Sequence, residues 1–153
     1  MNYLLSTRVY FSFAAHKLAN ILSNHGKVNS EVLVHFFRYI RYNKTLVLHY
    51  YAGIKYLSLS DLLIQSSINT KNQLMAFSDS SWQDCPDTGR STGSYIIFYQ
   101  GVTIDHGTYV TGPVTQSISE SEYNSACTAG MDLAHFWVLL HELLNKDPDI
   151  FLD

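Results

Sequence analysis

Cysteine is scarce in this 153-residue chain: Cys85 and Cys127 are the only two, and they form no CxxC pair. That excludes a disulfide-built scaffold and a cysteine-ligated zinc site, and it fits a reducing compartment. No apolar run approaches the ~20 residues a membrane-spanning helix needs. The start, "MNYLLSTRVYFSF", carries a single Arg and no A-x-A-like site. No signal peptide is expected there, and the chain reads as an intracellular protein of cytoplasm or nucleus without a membrane partner. Internal repeats and low-complexity tracts are absent. The histidines show no metal-ligand spacing beyond the weak pair His135 and His141.

What is present suffices for a folded core. Hydrophobic residues make up 46% of the chain, so one domain, or one and a half small ones, is expected. The net charge of −3 conceals an asymmetry. Residues 1–55 hold Arg8, Lys17, Lys27, Arg38, Arg41, Lys44 and Lys55 against the single acid Glu31. The remainder holds Lys71, Arg90 and Lys146 among all the other acids. A basic first third can face a polyanion, or it can be a set of scattered solvated charges.

Periodicity places the elements. Residues 7–24 are apolar at helical spacing (Phe11, Ala14, Ala15, Leu18, Ile21, Leu22) and end at Gly26. Residues 29–44 predict a second helix, capped by Asn29 or Ser30, with Leu33, Phe36, Phe37 and Ile40 as its core stripe. Residues 45–51 read as a strand, and 52–73 lack a period. From residue 74 the pattern changes. Strands are expected over 74–79, 93–100 and 102–106, with turn chemistry at 80–92 and at Gly101. A long helix over about 120–145 stops before Pro148, and the strand-like "IFLD" follows. This order is that of an α+β fold.

Two carboxylates stand one residue apart in "SISESEY", residues 117–123. With Ser119 as N-cap, a sheet-facing row runs through Ala126, Gly130, Leu133, Trp137, Leu140 and Leu144, and it extends back to Glu122. Glu120 then lies on the solvent side. The plainer reading makes Ser119-x-x-Glu122 a capping box. The sharper one pairs Glu122 with Asp79, which closes the strand 74–79 on the face of Met75 and Phe77. Carboxylates meeting there would suit Mg²⁺ or Mn²⁺, whose ligands are hard oxygens.

The same residues carry a resemblance. Ser78-Asp79 with Trp82, then Arg90-Ser91-Thr92 with Tyr95, then Ser119-Glu120-Ser121-Glu122-Tyr123 follow in order. This succession resembles the ribonuclease H domain of Ty1/copia-type retrotransposon polyproteins, patterned S-D-x-x-W, R-S-T-x-G-Y and S-S-x-E-x-E-Y. Residues 1–55 resemble the helical segment that joins the reverse transcriptase to that domain, although Thr7-Arg8-Val9-Tyr10 lacks the usual Pro-Asp. A linker or insertion over 56–73 then leads into a domain at 74–153.

The resemblance implies a ribonuclease H-like mixed sheet with strands 1–3 antiparallel and helices flanking it. It further implies an acidic cluster dependent on Mg²⁺ or Mn²⁺ that hydrolyses the RNA strand of an RNA–DNA hybrid. Asp79 and Glu122 match the first two carboxylates, and Asp153 is the candidate third. Ser80, Arg90, Ser91 and Thr92 near the site, and Arg8, Lys17, Arg38 and Arg41 in the basic third, are candidate contacts to the nucleic-acid backbone. Trp82 reads as a packing residue. The family pattern continues past residue 153, so the chain is expected to be truncated at its C-terminus, with activity weak or lost. The alternative is a non-catalytic remnant that binds nucleic acid or a partner.

Overall fold

The computed structural model describes residues 8–21, 27–46, 73–85, 87–145 and 148–152. The chain divides into two compact units, Met1–His49 and Tyr50–Asp153. In the first, a 3-10 turn (Val9–Phe11) runs into helix α1 (Ser12–Ile21), and helix α2 (Lys27–Tyr42) follows. The apolar period decides which faces meet: Phe11, Ala15 and Leu18 are buried against Phe36, with Leu33 and Ile40 packed around them. The rings of Phe11 and Phe36 meet edge to face, 6.1 Å apart, a favoured aromatic geometry. Phe37 is not part of this core and is 54% exposed. It stands ~100° around the helix from Phe36, off the contact stripe.

Helix α2 begins at Lys27, so Asn29 and Ser30, the expected caps, lie inside its first turn. Its far end is closed from a distance. The Arg8 guanidinium donates to the carbonyls of Asn43 (3.2 Å), Lys44 (3.1 Å) and Leu46 (3.2 Å). Carbonyls past a helix C-terminus lack partners of their own, and a cation is favoured there. Of the strand expected over 45–51, Thr45 lies in a turn and Leu46 is irregular. Residues 47–51 and the period-free stretch up to 72 lie outside the described residues.

The second unit is α+β. Strands β1 (Gln73–Ser81), β2 (Thr92–Tyr99) and β3 (Val102–Val110) are followed by helix α3 (Ile118–Leu144) and strand β4 (Asp149–Leu152). The sheet is mixed, in the order β3-β2-β1-β4. β1 pairs antiparallel with β2, β2 antiparallel with β3, and β4 parallel with β1. Gln100 (φ 52°) and Gly101 (φ 79°) both take positive φ in the two-residue turn between β2 and β3, the conformation of a primed hairpin turn. β3 is longer than the expected 102–106, because its pairing runs on until Thr92 meets Val110.

Burial along β1 follows its neighbours. β4 pairs with Gln73–Ala76, and those four residues are the buried ones, while Asp79 and Ser81 near the other end are exposed. Leu74 and Ala76 share a face with Ile97 under Ala129 and Leu133 of α3. Two tyrosines extend that face. Tyr95 of β2 lies over Gly107 of β3, and Tyr109 of β3 over Gly93 of β2; a Cβ on either glycine would approach the ring within 2.7 Å. Glycine is required at both positions because the facing ring occupies the space of a side chain.

The sheet-facing row of α3 is Ser121, Ser125, Ala129 and Leu133, continued by the half-buried Phe136, Trp137 and Leu140. The expected row through Glu122, Ala126 and Gly130 is displaced by one residue. The N-cap is Ser117, two residues before the expected Ser119, and its side chain accepts from the Glu120 N–H at 3.1 Å. At the other end Asn145, in the left-handed conformation, returns its N–H to His141 O.

Two outcomes follow. Leu74→Ala removes a fully buried side chain from beneath α3 and is expected to cost about 2–5 kcal/mol in urea unfolding. Tyr95 has its phenol pKa raised from the ordinary 10.0 by burial first, then by Asp132 and Asp105, and its hydroxyl donates to Asp105 Oδ2 at 3.4 Å. A raised folded-state value favours the fold while the phenol is protonated, so stability falls as pH rises above ~10. Urea titrations between pH 8 and 11 should show that decline, and Tyr95→Phe should flatten it.

Candidate active site

The end of β1 carries Asp79, and the first turns of α3 come down beside it. The contact that sets them together is backbone-directed: Ser125 Oγ lies 2.8 Å from the Asp79 carbonyl and 3.3 Å from that of Ser94, its cross-strand partner. The carboxylate of Asp79 points elsewhere. By the alternation of the strand it shares the face of Met75 and Phe77, opposite the face of Leu74 and Ala76 on which α3 packs. Among the described residues β4 pairs with Gln73–Ala76 of the same strand.

Glu122 lies one turn before Ser125. It flanks the sheet-facing row and is exposed, as is Asp79. The helix cap does not use it. Glu120 is the capping glutamate: its N–H meets Ser117 Oγ, and its Oε2 accepts the Gln116 N–H at 2.7 Å. The pair is therefore Ser117-x-x-Glu120, which matches the same sequence rule two residues earlier, with the glutamate reaching the N–H of the residue before the cap. Asp153 lies outside the described residues. Among the described residues no group of three or more His, Cys, Asp or Glu side chains is placed to hold a metal ion.

Of the candidate backbone contacts near the site, Arg90 is exposed. Ser91 and Thr92 are buried within a lattice of hydroxyls. Ser91 Oγ accepts from the Gln83 N–H (3.1 Å) and shares a proton with Thr115 Oγ1 (2.9 Å). Thr92 Oγ1 donates to Asp84 at 2.7 Å. Thr111 Oγ1 accepts from the Ser91 N–H at 3.2 Å. The Trp82 indole N–H donates to Thr115 O at 3.2 Å, which makes Trp82 a brace for the same loop. Burial requires each such group to find a partner, and here the partners are each other. The Ser80 hydroxyl is likewise buried.

In the first unit Arg38 and Arg41 are exposed on α2. Arg8 is committed to the carbonyls beyond α2, and the Lys17 ammonium lies 5.5 Å from the Phe13 ring centroid. A groove of about 360 Å³ between α1 and α2 is lined by Phe13, Leu18, Val32, Phe36 and Tyr39 with Lys17 at its side. Among the described residues no helix is long and apolar enough to cross a membrane.

Comparison with protein-family models, with curated proteins and with solved structures finds no match for this chain.

Sequence reasoning passed over Ser125. The signal was available: Ser121 and Ser125, four apart and followed by Ala129, form a small-residue row suited to close approach of a helix to a sheet. Removing one hydroxyl tests the contact. Ser125→Ala is expected to cost about 1 kcal/mol in unfolding experiments, and Glu120→Ala about 0.5–1 kcal/mol through the cap. Glu122→Ala should leave stability within about 0.5 kcal/mol of the parent.

Proposed function

We propose that residues 74–153 are a ribonuclease H-like domain of the Ty1/copia retrotransposon type, whose chemistry is metal-dependent hydrolysis of the RNA strand of an RNA–DNA hybrid. The observation that carries this reading is the division of labour between the two glutamates. Glu120 closes the helix, Glu122 has no part in the cap, and Ser125 one turn on holds α3 at the backbone of Asp79. The order of motifs from Ser78 to Tyr123 supports it.

By the motif, Asp79 and Glu122 would hold the ion, with Asp153 as the third carboxylate; because Asp79 leaves β1 on the face away from α3, the two side chains would have to meet around the end of that strand. The donor chemistry fits: Mg²⁺ commonly takes one or two carboxylates and completes its shell with water and substrate phosphate. Such an ion supplies positive charge to phosphoryl transfer. The protein's own part is placement. Ser125 fixes the helix on the strand, and exposed carboxylates remain open to a substrate. Arg90, two residues before the Thr92 that pairs with Ser81, is the side chain in this loop suited to meet a backbone phosphate. Ser91 and Thr92 hold the loop that presents it.

The test is cleavage of a fluorescent RNA–DNA hybrid with Mg²⁺ or Mn²⁺. Slow, metal-dependent cleavage that falls at least about 100-fold in both Asp79→Asn and Glu122→Gln is the expected outcome. Cleavage that persists in both variants would falsify the reading.

A second reading, a non-catalytic nucleic-acid- or partner-binding module, is favoured by the exposure of Arg38 and Arg41 one turn apart on α2. It expects duplex binding that weakens with salt and survives Asp79→Asn. It also expects the salt slope to drop by about 1 for each arginine changed to alanine.

A further inference from the structure

Three hydroxyls of the second unit are buried and have no hydrogen-bond partner among the described residues: Ser80 Oγ on β1, Tyr109 Oη on β3 and Ser121 Oγ on α3. They are far apart in sequence, and the fold collects them. Ser80 pairs with Gly93, and Gly93 pairs with Tyr109, so the three residues make one row across three strands. Ser80 lies on the face of Leu74 and Ala76, which is the face under α3. The Tyr109 ring reaches back over Gly93, and its hydroxyl stands 2.7 Å from where a Cβ would sit there. That brings it over the residue opposite Ser80.

Ser121 reaches the row from above. α3 runs antiparallel to β1, because Ala129 and Leu133 sit over Leu74 and Ala76 while Ser125 touches the carbonyl of Asp79. One further turn toward the helix N-terminus advances about 6 Å. That is about two residues of strand, which carries the helix from Ser125, at the level of Asp79, to Ser121 over the last residues of β1, where Ser80 is the residue that faces α3. Ser121 is 0% exposed, so its hydroxyl has no route to bulk solvent.

We infer that Ser80, Tyr109 and Ser121 together form the binding site of one internal water molecule. Three hydroxyls from three elements are the usual complement of a buried water, which makes about three hydrogen bonds to groups otherwise without partners. A hydroxyl left unbonded in an apolar interior is costly, and this one ligand answers all three. The bridge ties the residue after Asp79 to the residue before Glu122, so it links β1, β3 and the first turn of α3. It stands whether or not the neighbouring carboxylates take a metal.

Sign and coupling in unfolding experiments on the full chain decide the matter. If the Tyr109 hydroxyl is bonded to a shared water, Tyr109→Phe lowers the folding equilibrium constant by about three- to tenfold. In a Ser121→Ala background the same change should cost less than half as much on a logarithmic scale, because the bridge is already broken. An increase in the folding constant, or an equal loss in both backgrounds, would overturn the inference. Should a variant fail to fold, a crystal structure of the parent chain at about 1.8 Å or better gives an independent answer. A water within hydrogen-bond distance of all three oxygens supports the site. A dry site, or hydroxyls bonded directly to one another, rejects it.

Discussion

The hydrogen bond from Ser125 Oγ to the carbonyl of Asp79 is the joint on which the second unit turns. It exists because α3 presents small side chains to the sheet. Ser121, Ser125 and Ala129 are all 0% exposed, and none carries enough bulk to hold the helix away. A hydroxyl can therefore reach a strand carbonyl without a bridging group. Further along, Leu133, Phe136, Trp137 and Leu140 supply bulk where Leu74, Ala76 and Ile97 supply a broad apolar floor. The helix is polar and close at one end, apolar and thick at the other. Glu120 and Glu122 lie at the hydroxyl-rich end, and Asp132 and Glu142 further along.

The same end of the sheet is organised by space as much as by polarity. Glycines at 93 and 107 leave room for Tyr109 and Tyr95 to lie across the neighbouring strand. Ser91, Thr111 and Thr115 knit the loops before β2 and after β3. The outcome is a rigid platform made from hydroxyls and aromatic faces under the start of α3. In the first unit the corresponding device is Arg8, whose guanidinium gathers three carbonyls beyond α2 and so joins the start of the helical pair to its end.

Much of this was legible from residue order. The change from helical to strand periodicity at residue 74, the turn at Gly101 and the long helix before Pro148 all appear in the structure. The stripe Phe11, Ala15 and Leu18 is the buried one. Where the reading slipped, it slipped by one step of a period. Two overlapping S-x-x-E matches compete at 117–122, and local pattern cannot choose between them. The choice moves the sheet-facing row from Glu122 to Ser121 and transfers the cap from Glu122 to Glu120. Phe37 shows the same ambiguity, since two adjacent phenylalanines cannot both face one partner.

By itself the sequence determined the α+β order, the antiparallel meander and the two helices of the first unit, because each rests on short-range periodicity and turn chemistry. Tertiary structure alone decided the face from which Asp79 leaves β1, the release of Glu122 from capping, the burial of Ser91 and Thr92 and the gathering of Ser80, Tyr109 and Ser121. Those depend on register between strands and on the rotation of α3 about its axis, and both are set by packing between segments distant in the chain.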